Sequence, residues 1–211
     1  MEAETLDLII RTRSTILDIV EGRGYDVSAY RGISPEELFT IIVSDLPALK
    51  IVVTKKDEGG NEKTLVVQYF VDAPIRLKLN DIEFMSRVFD AYDPSSEFIA
   101  ILSEMPHDMF NIQAARLWSV KHMHMTFFNL KNLVSNPAKH VFVPPHRKLS
   151  AEETADVIAA LHLKSKHELP HIKYHLDMQT RVHGFVPGDV IEIIRPSETC
   201  AEYKFYRVCV I

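Results

Sequence analysis

The chain has 211 residues, 46% of them hydrophobic and 25% charged, a balance that excludes a disordered or low-complexity chain and suits one large or two small globular domains. Its net charge of −5 is unevenly held: residues 146–211 carry 9 basic and 9 acidic side chains, leaving 15 of the 24 basic and 20 of the 29 acidic ones upstream. Wholesale gripping of a phosphate backbone is therefore not expected of the chain acting alone. No apolar run approaches the ~18 residues of a membrane span, and the acidic start Met1-Glu2-Ala3-Glu4 is unlike a secretory signal, so an intracellular protein is expected.

Leu6, Ile9, Ile10, Arg13, Ile16, Leu17 and Val20 recur at helical spacing and stop at Gly22-Arg23-Gly24, which predicts a first helix. Ser34-Pro35-Glu36-Glu37 opens a second, with Ser34 as N-cap, Pro35 at the first helical position and Glu37 closing a capping box, running to about Leu46 before Pro47. Leu49–Thr54 and Leu65–Val71 are β-branched runs around a polar loop from Lys55 to Lys63, which predicts an antiparallel hairpin. Asn80 and Glu83 cap a helix carrying Ile82, Met85, Val88 and Phe89. Phe98–Leu102 follows as a buried strand, Met109–Trp118 as a helix, and Met123–Leu130 as a strand with Met123, Met125, Phe127 and Phe128 in the sheet core.

The order β-β-α-β-α-β after a helical start argues α+β architecture, a mixed sheet with helices packed on it. Prolines at 137, 144 and 145 crowd one stretch, and we place the domain boundary there, as 1–138 and 139–211. Beyond it, Ser150 and Glu153 form a further capping box for a helix with Thr154, Val157, Ile158 and Leu161 on one side. Val186-Pro187-Gly188-Asp189 is a turn, with Gly188 free to take φ > 0. Val190–Ile194 then reads as a buried strand that Pro196 must end or confine to an edge, and a strand from Glu202 to Val210 completes the hairpin.

Candidate chemistry is sparse. Cys200 and Cys209 make neither a disulfide framework nor a zinc knuckle and are expected as small buried or half-buried thiols. His171 and His175 stand four apart, as two ligands on a helix face would, with His162 and His167 nearby, but Pro170 precedes them and no cysteine adjoins. No metal, cofactor or small-molecule substrate is expected. Metal-dependent hydrolysis would need two or three carboxylates and a lysine converging on a divalent cation. The predicted strands carry none before Asp72, while Asp57, Glu58 and Glu62 read as solvated loop residues, so no catalytic residue is assigned.

Five elements then stand in fixed order: His140-Val141-Phe142-Val143-Pro144-Pro145-His146 leading to Leu149-Ser150-Ala151-Glu152-Glu153; Leu169-Pro170-His171-Ile172-Lys173; Arg181-Val182-His183-Gly184-Phe185; the Pro-Gly-Asp turn; and Ile194-Arg195-Pro196-Ser197-Glu198-Thr199. This succession resembles the C-terminal domain of the fifth common subunit of eukaryotic nuclear RNA polymerases, which archaeal RNA polymerases carry essentially as a stand-alone protein. The sequence departs from the family at Asp177-Met178, where an Asp-Pro pair is usual, and at Ala201-Glu202, where a Gly-Arg pair is usual.

The resemblance implies a non-catalytic subunit of a multisubunit DNA-dependent RNA polymerase. Its N-terminal domain would be an endonuclease-like, non-catalytic sheet forming part of the lower jaw near downstream duplex DNA. Its small C-terminal α+β assembly domain would anchor to the largest subunit. The anchoring surface is expected to include Pro170, Gly184, Arg195, Pro196, Ser197, Glu198, Thr199, Tyr206 and Arg207, and local weak DNA contacts are expected at Lys55, Lys56 and Lys121. A cellular version would work in the nucleus; a viral one would work in cytoplasmic factories and enter the virion. The alternatives are a metal-dependent nuclease on the N-terminal sheet and a free-standing transcription regulatory protein using the same C-terminal module.

Overall fold

The structure, a computed structural model, describes residues 3–56, 60–71, 92–93, 95–103, 108–199 and 201–211. The predicted helix at Asn80–Phe89 lies outside the described residues, as do Asp57, Glu58, Asp72 and Cys200. Contacts divide the chain into two compact units, Met1–Asn136 and Pro137–Ile211. The described residues form one four-stranded sheet in each unit, so the architecture is α+β.

In the first unit α1 (Ala3–Gly22) buries Ile9, Arg13, Ile16, Leu17 and Val20 of the stripe that its spacing dictates, with Leu6 and Ile10 half-buried, and buries Ile19 besides. A short α2 (Ser28–Arg31), absent from the sequence reading, follows. The helix α3 (Pro35–Ser44) has the predicted box: Ser34 Oγ accepts the Glu37 N–H at 3.2 Å, and the Glu37 carboxylate accepts the Ser34 N–H at 2.9 Å. It stops two residues before the expected end. Pro47 has no N–H to return to the preceding turn, so Asp45 leaves helical backbone and Leu46–Leu49 tightens into a 3-10 turn.

Strands β1 (Ile51–Lys56) and β2 (Glu62–Phe70) pair antiparallel from Ile51↔Val67 to Lys56↔Glu62, and β3 (Glu97–Leu102) and β4 (His124–Asn129) add in parallel. The hairpin is longer than expected. Lys55, Lys56 and Lys63 are paired strand residues, because Lys55 and Lys63 have a buried carboxylate to meet across the sheet. Every residue of β3 and β4 is buried, as parallel strands covered on both faces require. On one face α4 (Asp108–Lys121) presses Phe110, Ala114 and Leu117 onto Val66, Phe98, Ala100, Met125 and Phe127. Met123 joins that cluster, while Phe128 is buried on the opposite face by the strand's period of two.

The second unit runs β5 (His146–Lys148), α5 (Ala151–Ala160), β6 (His171–Lys173), α6 (Met178–His183), β7 (Val190–Ser197) and β8 (Ala201–Val210), with sheet order β5-β7-β8-β6. The Ser150–Glu153 box caps α5 with bonds of 3.1 and 2.9 Å. Asp177 caps α6 through the Gln179 N–H, which puts Met178 at the first helical position, where proline is favoured but not required. Gly188 takes φ 98 in the predicted turn, closed by Asp189 N–H to Val186 O at 3.0 Å.

Strand β7 continues three residues past the expected Ile194. It stays paired through Pro196↔Glu202 and Ser197↔Ala201, so Arg195–Ser197 are strand, not bend. The proline is tolerated for a directional reason. Ile194 donates its N–H to Pro145 O on the β5 side, and two residues on the Pro196 nitrogen faces that same side, beyond the end of β5, where no ladder bond is needed. The tight connection leaves Ala201 at φ 62, a left-handed conformation in which its Cβ is crowded.

Candidate docking site

Antiparallel register sorts the hairpin's side chains by face. Arg195 stands opposite Tyr203, Ile193 opposite Phe205 and Ile191 opposite Arg207, so these six share one face. The Arg195 guanidinium lies 5.4 Å from the Phe205 ring centroid and that of Arg207 lies 5.2 Å from it, so both cations contact one aromatic ring. Arg207 Nη1 donates to His171 O at 2.7 Å. Neither arginine forms an ion pair among the described residues. His146 has a pKa below its usual value because burial outweighs its bond to Pro144 O and the charge of Asp177, with a smaller push from the two guanidiniums.

The opposite face holds Glu192, 4% exposed and flanked by Arg147 at 2.9 Å and Lys204 at 3.1 Å. Those cations outweigh burial and hold its carboxyl below the usual range. Tyr206 belongs to this second face, packed on the cluster of Leu149, Leu169, Val190 and Val208, so it does not share a surface with Arg207. Burial pushes the Cys209 thiol up to about 12, the inert core cysteine expected.

The remaining sequence-predicted residues scatter by role. Pro170 is exposed and its carbonyl accepts the Val208 N–H at 2.9 Å. Gly184 caps α6 at φ 71. Ser197 Oγ and Thr199 Oγ1 share a hydrogen bond of 3.2 Å, and Glu198 is exposed in the connection. Arg195 and Pro196 line one wall of a groove of about 480 Å³, and Val141, Phe142, Val143, Pro144 and Pro145 line the rest. Val141 and Phe142 are each 87% exposed, an apolar pair held in water across the groove from Arg195.

In the first unit the three lysines part ways. Lys56 and Lys121 are exposed. Lys55 is turned inward: its ammonium donates to Arg23 O at 2.7 Å and lies 4.2 Å from the Tyr25 ring. It belongs to a charged row across one sheet face, one residue per strand: Lys55, Lys63, Glu97 and His124. Arg23 and Tyr25 reach Glu97 at 3.1 and 3.0 Å from beyond the end of α1, and Lys63 Nζ at 2.9 Å. The charges of His124, Arg23 and Lys63 overcome burial and hold the Glu97 carboxyl well below its usual range, and burial with that carboxylate pushes the Tyr25 phenol up.

Sequence reading missed Glu97 because it stands one residue before the apolar run that marked the strand. Chemically the cluster is one carboxylate among cations, a donor set that repels a divalent ion rather than ligating one. His171 opens a strand, so its spacing from His175 is not helical, and no cluster of three metal-ligating side chains occurs among the described residues.

Comparison with known proteins carries this geometry into a family. Residues 135–209 match the model for the C-terminal domain of RNA polymerase Rpb5. The DNA-directed RNA polymerases I, II, and III subunit RPABC1 of Caenorhabditis elegans is 30% identical over 208 residues, covering 95% of this chain and 94% of the relative. This chain belongs to the Rpb5 family. The corresponding subunit of Dictyostelium discoideum is 28% identical over 98% of this chain and all of the relative. Subunit Rpo5 of Pyrococcus abyssi is 43% identical over 75 residues, 36% of this chain and 89% of the relative. Ala201 occupies left-handed backbone, a conformation that glycine takes at no steric cost.

Proposed function

We propose that this chain is a non-catalytic subunit of a multisubunit DNA-dependent RNA polymerase, working in the nucleus of a cell or, in a virus, in cytoplasmic factories and the virion. The observation that carries this is a match to named polymerase subunits over 95% or more of the chain, not over one module alone. Residues 139–211 act as the assembly domain and anchor to the largest subunit through the face bearing Arg195 and Arg207; Gly184 caps α6, and Tyr206 packs on the opposite face of the same hairpin. Residues 1–138 form part of the lower jaw beside downstream DNA, where Lys56 and Lys121 extend toward phosphates. Lys55 supports that surface rather than touching DNA, because its ammonium faces Arg23 O, Tyr25 and Glu97.

Affinity isolation of the tagged full-length chain from its native source should bring down the two largest polymerase subunits. Their absence overturns the assignment. Charge reversal at Lys56 and Lys121 should lower the salt concentration at which the assembled enzyme releases duplex DNA, since each lost phosphate contact reduces the salt slope by about one. An unchanged release profile removes DNA contact from the reading.

A further inference from the structure

Beyond the polymerase-subunit reading and independent of it, we propose that the outer face of α3 docks a basic amphipathic helix of another protein. Large apolar side chains of that helix cover Phe39 and Val43, and its lysines or arginines pair with Glu36 and Asp45.

Spacing and exposure carry the apolar half. Glu36, Phe39, Thr40 and Val43 recur at i, i+3, i+4 and i+7, so they share one face of α3, and all four are exposed. Leu38 and Ile42, on the other side of the helix, are buried. The helix is therefore apolar on two faces, the pattern of one covered all round, while Phe39 stands 49% and Val43 65% exposed. Thr40 Oγ1 donates to Glu36 O at 2.9 Å and Ser44 Oγ to Thr40 O at 2.8 Å, so both hydroxyls are turned to the helix's own carbonyls. Phe39 and Val43 stand one turn apart, a ridge that packs into the groove of a second helix.

Charge complementarity selects the occupant. No lysine or arginine stands between Arg31 and Lys50. Arg31 is committed to Asp18 and Glu21 at 2.8 and 2.6 Å, and Lys50 lies 4.5 Å from the Tyr92 ring. Glu37 is engaged in the capping box, while Glu36 and Asp45 form no ion pair among the described residues. Asp45 is also misplaced for its own helix: it stands at the C-cap, where the macrodipole is already negative, and no basic residue occupies the last turn. A partner's cation there answers both the carboxylate and the helix end. The same charges disfavour other occupants. Duplex DNA and anionic lipid are repelled, and a second copy docked through this face would set its carboxylates against their own kind.

The test titrates the full-length chain into three labelled peptides of about 15 residues. One sets leucine and lysine in an amphipathic helical pattern, one scrambles that composition, and one keeps the pattern with glutamate for lysine. Fluorescence polarisation should rise with the first alone, and the binding should weaken with salt. F39S/V43S should weaken it about tenfold or more, while V120S, at an exposed site on α4, should leave it unchanged. E36K/D45K should lose the lysine peptide and gain the glutamate one, a reversal that an unfolded variant cannot produce. Equal binding of the scrambled peptide, an unaffected F39S/V43S or no reversal overturns the proposal. So does binding of duplex DNA or phosphatidylserine vesicles, or self-association, that F39S/V43S abolishes, since each would give the face a different occupant. In the native source, a photoreactive side chain replacing Thr40 should cross-link to a segment carrying lysine or arginine beside apolar residues. An acidic segment there, or no cross-link, overturns the proposal.

Discussion

Each sheet shields one glutamate side chain from water, yet Glu97 lies deep and Glu192 lies shallow beneath its cations. The Glu97 side chain is 5% exposed and its partner Arg23 is 2% exposed; the Glu192 side chain is 4% exposed, but its partners Arg147 and Lys204 are 51% and 57% exposed. In the first unit every strand of the described sheet sends one residue to the charged row, and the chain beyond α1 closes over it. In the second, the cations stay in water and reach in. A closed cluster fixes how a helix end meets a sheet. An open one sets the charge of a face and leaves it accessible.

The largest expected effect breaks the closed cluster. Glu97→Gln keeps the shape and leaves Arg23 and Lys63 facing an uncharged amide, which should cost about 3–5 kcal/mol, the range for removing one partner of a buried pair. Trp118 is the chain's single tryptophan, and its ring lies 6.3 Å from that of His124, so its fluorescence during denaturant unfolding reports the first unit selectively. The same carboxylate fixes a pH dependence. Its pKa is lowered by folding, so its contribution is present above the ordinary value of 4.5 and is lost as pH falls below it. Glu97→Gln should flatten that acid-side loss, and an unflattened profile would show that other groups carry it.

Glu192→Gln sharpens the contrast. Arg147 and Lys204 can return to solvent, and Arg147 retains Glu153 at 2.7 Å, so about 1–2 kcal/mol is expected, read from amide exchange of β7 and β8. A cost equal to that of Glu97→Gln would erase the distinction between closed and open clusters. Smaller still is Ala201→Gly, which relieves the left-handed alanine and should stabilise the hairpin by about 0.5–1 kcal/mol in the same exchange measurement.

What the sequence reveals follows from how local each determinant is. Both capping boxes, the α1 stripe and the Gly188 turn are written within a few residues and stand where spacing puts them. The row Lys55, Lys63, Glu97 and His124 spans four strands, and only the register of a mixed sheet brings it together. The motif at Ile194–Thr199 was legible as a family marker, but its face was not. Tyr206 and Arg207 are neighbours in a predicted strand and therefore on opposite faces, but which of them shares a face with Arg195 depends on the pairing Arg195↔Tyr203, and that register became known only with Pro196 inside the ladder. Phe205, which holds the two arginines together, stood unremarked among other aromatics in an alternating strand.

The smallest effect on folding tests the claim that the arginine face is uncompensated. Arg195 touches the Phe205 ring and has no carboxylate of its own chain to lose, so Arg195→Ala should leave the amide exchange of β7 and β8 within about 0.5 kcal/mol of wild type. Glu192→Gln, three residues earlier on the other face, should exceed it. That ordering inverts what exposed charge alone suggests, since the costly side chain is the one out of sight. If Arg195→Ala proved the more destabilising, the guanidinium would be satisfied within this chain. A side chain so engaged could not also stand as an uncompensated charge on that face.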